Sequence, residues 1–305
     1  MKQLTKQIID DIYAETGIAP SYIEKDWYLV LVLQVILSLN KDNIKAVFAG
    51  GTSLSKGYNL IHRFSEDVDF SIIGIKDSNR AARGQYRDNL IEKINATDVL
   101  NVEMDSIKSK DKNKFTSFYI NYPKEFDLDN SLRNNLKLEL SFKSTYLEPI
   151  KKEINSFVGE YIEGCPKIGI DCISAIETAA NKFSALMWRI DIKDRSRPFN
   201  HMFNDPALIR HLYDLSALYP LINNEPEFKR LVEQIYEIDK VRGNKNRDIS
   251  LIDFINKTIL TLKTDKLYKE EYEKYVSTMS YSSEPEVTFD KALQNYEELC
   301  KLFIR

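Results

Sequence analysis

Residues 48–70 read FAGGTSLSKGYNLIHRFSEDVDF, and this stretch decides the fold. The apolar run at residues 44–49 predicts a short strand that ends at two glycines. The next residues, 52–62, have the pattern of a helix. Residues 66–73 then alternate acidic and apolar side chains, as a strand does. We therefore expect a mixed α/β sheet unit around this stretch.

The glycine turn has the features of a phosphate-binding site. Glycines let the backbone approach a ligand closely and adopt positive φ angles. The helix start that follows presents free N–H groups and partial positive charge, which attract phosphate. Lys56 falls in the first turns, where it either contacts phosphate or is an ordinary helix-surface lysine. The predicted nucleotide-binding residues are Gly50, Gly51, Thr52, Ser53 and Lys56.

Two carboxylates follow on the next predicted strand. Asp67 and Asp69 are two residues apart, which places both side chains on one face of a strand. A hard cation such as Mg²⁺ offsets their repulsion, and it prefers one or two carboxylates plus phosphate oxygens. Glu139, in another alternating strand, is either a third metal ligand or a solvent-facing residue. A phosphate turn beside paired carboxylates indicates phosphoryl or nucleotidyl transfer.

Composition limits the other possibilities. The chain has 305 residues, of which 43% are hydrophobic and 29% charged, and its net charge is -3. Nucleic acid would therefore be bound through a local patch rather than a general basic surface. Three cysteines without CxxC spacing fit a reducing compartment, so we expect a cytoplasmic protein. The most apolar run, residues 28–39, is shorter than the roughly 20 residues of a membrane-spanning helix.

The remaining sequence predicts an α+β fold in two parts. Strand patterns recur at residues 102–106, 115–122 and 136–142, and helical patterns dominate after about residue 150. We expect a small mixed-sheet domain with N-terminal helices at residues 1–150, followed by an all-helical bundle at residues 151–305. The basic runs at residues 108–114, 193–197 and 240–247 are either solvated loops or nucleic-acid contacts.

In the stretch quoted first, residues 48–70, the chain resembles the AbiEii-type (AbiEii/AbiGii) toxin family of the nucleotidyltransferase superfamily. The resemblance rests on residues 48–70, which are similar to the family's GG-T/S-L-S-K and R-F-S-E-D-x-D stretches. Residues 23–33, IEKDWYLVLVL, are similar to the helix before the first strand. A later match covers Glu177, Lys182 and Arg189, and then RHLYDL at residues 210–215.

The resemblance implies a nucleotidyltransferase-type sheet domain joined to a helical bundle, and it implies roles for individual residues. Asp67 and Asp69 would bind Mg²⁺, and Ser53 with the glycine turn would hold the NTP. Lys182 would lie near the phosphates, with Asp214 near the nucleotide or the lysine. The acceptor would be the 3′ end of tRNA. The biological role would be that of a toxin paired with a cognate antitoxin, in a bacterial or phage-defence setting.

The chain departs from the family pattern at two places. His211 stands where the family has Asp, and residues 190–209 form a longer segment than usual. Two alternative functions follow from the same residues. The enzyme nucleotidylates or phosphorylates a protein such as its antitoxin, or the chain is a non-catalytic nucleotide-binding module. Unchanged activity after replacing both Asp67 and Asp69 with Ala would favour the module.

Overall fold

The structure is a computed structural model, and it describes residues 4–41, 43–65, 67–76, 79–126, 133–162, 165, 167–199, 201–241, 249–281 and 287–304. The chain divides into two compact units. The sheet unit comprises Met1–Asn59 and Phe64–Ile173, and the helical unit comprises Leu60–Arg63 and Ser174–Arg305. A short segment just before the Asp pair therefore belongs to the helical unit.

The sheet unit is built on one mixed sheet, whose strands lie in the order β3-β4-β5-β2-β1-β7-β6. The pairs β2–β5 and β1–β7 are parallel, and the others are antiparallel. The strands are β1 (Lys45–Ala49), β2 (Asp67–Ile73), β3 (Asn101–Lys110), β4 (Phe115–Asn121), β5 (Leu136–Ser141), β6 (Ile150–Ile154) and β7 (Ile168–Cys172).

Two helices, α2 (Pro20–Leu37) and α4 (Arg80–Asn95), cover the apolar face of this sheet. Helices α1 (Lys6–Thr16) and α5 (Phe157–Tyr161) pack with α2 in a second, smaller core, and α3 (Gly50–Lys56) follows β1 directly. Val68 and Phe70 of β2 point into a core that they share with Leu33 of α2 and Leu90 of α4. Because side chains alternate along a strand, Asp67 and Asp69 lie on the opposite face.

The second turn of α2 carries a buried polar triplet, Glu24, Lys25 and Asp26, each 2% exposed or less. Glu24 accepts from the Glu125 N–H at 2.8 Å, and Lys25 donates to the Arg133 carbonyl at 2.8 Å. Asp26 accepts from the N–H of Phe157 at 2.7 Å. Since buried polar groups are costly without partners, these bonds fix two loop segments and the start of α5 against α2.

The helical unit packs around α6 (Ala175–Asp191). Phe183 of α6 lies 5.8, 5.1 and 5.3 Å, between ring centroids, from Phe228, Tyr296 and Phe303. Aromatic contacts at such distances add to the burial of apolar surface. The other elements are a 3₁₀ turn (Pro206–Ile209), α7 (Arg210–Ile222), α8 (Pro226–Lys240), α9 (Leu251–Thr264), α10 (Leu267–Met279) and α11 (Phe289–Ile304).

The predicted fold class, a mixed sheet followed by a helical bundle, is confirmed. Three details of the expectation differ. Strands β6 and β7 follow residue 150, so the sheet unit extends to Ile173. Helix α3 ends at Lys56 rather than residue 62, because Gly57 caps it and Asn59 adopts φ 53°. Helix α10 was not expected.

Among the described residues, no helix combines the length and apolar character needed to cross a membrane. The most apolar helix, α2, is buried on most of its circumference, with Ile23, Leu29 and Val32 each 1% exposed or less. It is therefore a core helix of the sheet unit.

Candidate active site

The glycine turn places β1, α3 and β2 in close contact. Gly50 adopts φ 73°, and a Cβ atom there would lie 1.9 Å from Asp69 Oδ2. Only glycine therefore fits beside the Asp69 carboxylate. The buried Thr52 hydroxyl donates to the Asp67 carbonyl at 2.5 Å, and the buried Ser53 hydroxyl donates to the Gly50 carbonyl at 3.1 Å. The first bond holds the start of α3 against the strand that carries the Asp pair, and the second lies within the first turn of α3.

The structure brings Asp67 and Asp69 together with the glycine turn on one face of the sheet. Asp69 is the register partner of Ala49 on β1 and of Glu139 on β5. Directly opposite residues of paired strands share a face. The position of the Asp69 carboxylate follows from its contact with Gly50, and both aspartates are partly exposed. A ligand therefore has access to the pair.

Two basic side chains neutralise Asp67. Arg133 donates to Asp67 Oδ1 at 2.7 Å, and the Lys137 ammonium lies 3.8 Å from the same oxygen. Lys137 also pairs with Glu139. Burial lowers the pKa of Lys137, but the carboxylates of Asp67 and Glu139 outweigh it and raise the pKa above its usual value. Positive charge is thus already favoured beside Asp67.

The donor set fits a hard divalent cation. Mg²⁺ is commonly held by one or two carboxylates together with substrate phosphate oxygens, and Asp67 with Asp69 supply such a pair. Glu139, interpreted from the sequence as either a third ligand or a solvent-facing residue, pairs with Lys137. Glu139 is bridged to Asp67 through Lys137, and across the described ranges no group of three or more His, Cys, Asp or Glu side chains is placed to hold a metal.

The Lys56 side chain is engaged by residues outside the glycine turn. Its ammonium pairs with the buried Asp26 at 2.6 Å, donates to the Asn155 carbonyl at 3.1 Å and lies 4.1 Å from the centroid of the Phe157 ring. Burial raises the pKa of Asp26 despite this partner. These contacts give Lys56 a structural role in joining α3, α2 and α5, in place of the predicted phosphate contact.

The other predicted pair, Lys182 and Asp214, meets within the helical unit. Lys182 of α6 donates to Asp214 Oδ2 of α7 at 2.5 Å. Arg63 donates to both carboxylate oxygens of Asp214 at 2.6 Å. Burial alone raises the pKa of Asp214, but the charges of Arg63 and Lys182 outweigh it and hold the pKa at about 2. Asp214 is therefore an ionised, buried anchor for two cations.

His211 is buried beside this cluster. Neither ring nitrogen has a hydrogen-bond partner among the described residues, and the side chain is 7% exposed. Burial lowers the pKa of His211 well below its usual value, and the positive charges of Lys182, Arg210, Arg189 and Arg63 lower it further. The imidazole is therefore neutral in the folded protein.

We expect His211 to make stability depend on pH. Its folded pKa lies below the unfolded value of 6.5, so the unfolded chain binds a proton first, and stability falls as pH drops below about 6.5. The slope from one such group is at most about 1.4 kcal/mol per pH unit. His211→Leu should remove this slope at little cost at neutral pH. Urea unfolding of both proteins at about pH 7.5 and pH 5.5 measures the difference.

Comparing wild type with His211→Leu cancels the contributions of the other titrating groups to the pH dependence of stability. Burial raises the pKa values of Glu24 and Asp26, so these groups change stability with pH in the opposite direction, equally in both proteins. Parallel pH profiles for wild type and variant would show that the imidazole does not remain neutral in the fold.

The basic segment at residues 193–197 is engaged within the helical unit. Lys193 pairs with Glu271 at 2.9 Å, and Arg195 pairs with Asp265 at 2.8 Å and with Glu271 at 2.5 Å. These pairs attach the long segment before α7 to α10 and to the residue that caps α9, and they engage the charges of Lys193 and Arg195. Most of the predicted basic run at residues 240–247 lies outside the described residues.

The sequence did not predict three basic residues that pair with the carboxylates: Arg63, which contacts Asp214, and Arg133 and Lys137, which contact Asp67. Arg63 belongs to the R-F-S-E-D stretch, which was the available signal for its importance. Lys137 precedes Glu139 by two residues, so the alternating pattern placed both on one face. Arg133 carried no signal, because it lies outside the predicted strands and contacts Asp67 across 66 residues of sequence.

A mixed sheet with a glycine turn facing paired carboxylates, followed by a helical bundle, defines a nucleotidyltransferase-type protein. The family model described as "Nucleotidyl transferase AbiEii toxin, Type IV TA system" matches residues 31–295. The chain belongs to this family, and it is a nucleotidyltransferase toxin of a type IV toxin–antitoxin system.

A solved structure supports the fold. The chain is similar to MenT4, a nucleotidyltransferase toxin from Mycobacterium tuberculosis H37Rv, with a TM-score of 0.64 and 16% sequence identity. The similarity covers 97% of this chain and 90% of MenT4. Comparison with the curated proteins gave no significant match.

Proposed function

We propose that this toxin transfers a nucleoside monophosphate from an NTP to the 3′ end of a tRNA, with Mg²⁺ bound by Asp67 and Asp69. One observation carries the proposal. The Asp69 carboxylate occupies the space beside Gly50 that any larger residue would fill, which places the Asp pair directly beside the predicted phosphate turn. The proposed place of action is the cytoplasm, where NTPs and tRNA are available.

The reaction forms one bond and breaks one bond. The acceptor hydroxyl oxygen attacks the α-phosphorus, and the bond from this phosphorus to the bridging oxygen of the β-phosphate breaks, which releases pyrophosphate. When bound, Mg²⁺ supplies Lewis-acid stabilisation of the phosphate charge. Asp67 and Asp69 bind and orient it, and the Gly50–Ser53 backbone receives the triphosphate.

The chain supplies the remaining functions through charged side chains. The proton of the attacking hydroxyl goes to a carboxylate on the same sheet face, for which Asp69 and Glu139 are the candidates. Lys182 is held by Asp214, and the role proposed for it from the family resemblance is to neutralise charge on the phosphates. Arg133 and Lys137 both approach Asp67 Oδ1, so a cation held by Asp67 would compete with them for this carboxylate.

Incubation of the purified protein with tRNA and each α-labelled NTP tests this proposal. We expect label on tRNA with at least one NTP, and none after Asp67→Ala. If no NTP labels tRNA while Asp67→Ala still abolishes toxicity, tRNA is not the acceptor. Mass spectrometry of a co-expressed antitoxin then shows whether a protein receives the nucleotide or phosphate instead.

A further inference from the structure

The sheet face that carries the Asp pair continues over three more strands. Strand β5 pairs Glu139 with Asp69 and Lys137 with Asp67. Strand β4 pairs Ser117 with Glu139 and Tyr119 with Lys137. Directly opposite residues share a face, so β4 presents Phe115, Ser117 and Tyr119 beside the carboxylates. The two aromatic rings are partly exposed.

Strand β3 adds two lysines at the sheet edge. Lys108 pairs with Ser117 and Lys110 pairs with Phe115, so both lysines share the face of the Asp pair, and both are exposed. Neighbouring strands lie about 4.8 Å apart, which places β3 roughly 14 Å from β2. Glu103, the register partner of Tyr119, lies at the other end of β3. Positive charge is therefore confined to the hairpin end of this edge.

The hairpin that carries the lysines is held in place. Arg83 of α4, 2% exposed, donates to the carbonyl of Lys112 in the turn at 2.8 Å. The hydroxyls of Ser109 and Thr116 lie 3.0 Å apart across the two strands. Because the strand positions are set by these bonds, the lysine and aromatic positions are preorganised rather than formed on binding.

We propose that this face binds the single-stranded end of a nucleic-acid acceptor and directs its terminal hydroxyl to Asp67 and Asp69. Lys108 and Lys110 contact backbone phosphates at the edge, and Phe115 and Tyr119 stack on bases. Aromatic side chains next to a basic edge are the features by which sheets bind single strands. The net charge of -3 makes a local patch of this kind necessary. This inference rests on the proposed function.

The lysines are tested with Lys108→Gln/Lys110→Gln. The probe is a fluorescein-labelled RNA hairpin with a short single-stranded 3′ tail, and its affinity is measured by anisotropy over a range of salt concentrations. We expect binding about tenfold weaker, and a salt slope smaller by about 1.4, since each lost phosphate contact on a single strand contributes about 0.7. The matched control is Lys41→Gln/Lys93→Gln, two exposed lysines of the sheet unit that belong to neither β3 nor β4.

The aromatic contact is tested separately at Tyr119. Tyr119→Leu removes the stacking surface and should weaken binding of the tailed RNA about tenfold, whereas Tyr119→Phe keeps the ring and should bind as wild type does. A blunt RNA duplex should bind equally to all three proteins, because stacking needs unpaired bases.

The outcomes separate this inference from the proposed function. If wild type labels tRNA and the lysine and Tyr119→Leu variants bind and label it equally well, the inference is wrong and the function stands. The edge lysines then only prevent strand pairing between molecules. If wild type labels no RNA and does not bind the tail, both fail. Unchanged binding of labelled NTP by the variants shows that their nucleotide site is intact.

Discussion

Replacing Gly50 with alanine should reduce nucleotidyl transfer at least about a hundredfold. The new Cβ would meet Asp69 Oδ2 at 1.9 Å and Asp69 Cγ at 2.8 Å, so the carboxylate must rotate away. A displacement of about 1 Å at a reacting group is enough for such a loss. Backbone strain at φ 73° adds only about 1–2 kcal/mol of destabilisation. Initial rates of label transfer and urea unfolding measure the two effects.

Gly17→Ala is the matched control for this experiment. Gly17 lies in the same unit with φ 70°, but apart from its chain neighbours no described residue has an atom within 4 Å of a Cβ placed there. The control therefore carries the same backbone strain without displacing a carboxylate, and we expect full activity. Equal activity of Gly50→Ala and Gly17→Ala would mean that the position of the Asp69 carboxylate does not matter for the reaction.

Asp214→Asn should destabilise the helical unit by about 3–5 kcal/mol, since it leaves buried cations without a counter-charge. Arg63 is 3% exposed and cannot lose its proton, so it bears most of the cost. Lys182 can respond by deprotonation, because burial already lowers its pKa. Trp188 of α6 reports on this unit, so its fluorescence in a Trp27→Phe background follows the unfolding in urea.

Two further variants compare the buried ion pairs of Asp214 with an exposed ion pair. Glu227→Gln breaks an exposed pair with Arg230 in the same unit, and we expect a change below about 0.5 kcal/mol. Adding Lys182→Met to Asp214→Asn should restore part of the lost stability, because it removes one uncompensated cation. A cost for Asp214→Asn no larger than that for Glu227→Gln would contradict the role of Asp214 as an anchor.

One face of the sheet packs in the core and the other carries the candidate site, and the sequence predicted this division. Alternation in residues 66–73 assigned Val68 and Phe70 to the core and the two aspartates to the opposite face. By contrast, β6 and β7 were missed. They are short strands of a sheet whose other members had clearer alternation, and their pairing depends on partners distant in sequence.

The sequence alone determined the glycine turn, the spacing of Asp67 and Asp69, and the order of sheet and helices. These features depend on local backbone geometry and on side-chain periodicity, both of which short stretches encode. The tertiary structure decided which charges meet: Arg63 with Asp214, 151 residues apart, Arg133 with Asp67, and Lys56 with Asp26 rather than with the glycine turn. Such pairs form because packing brings distant segments together and excludes water from them, and no local spacing contains that information.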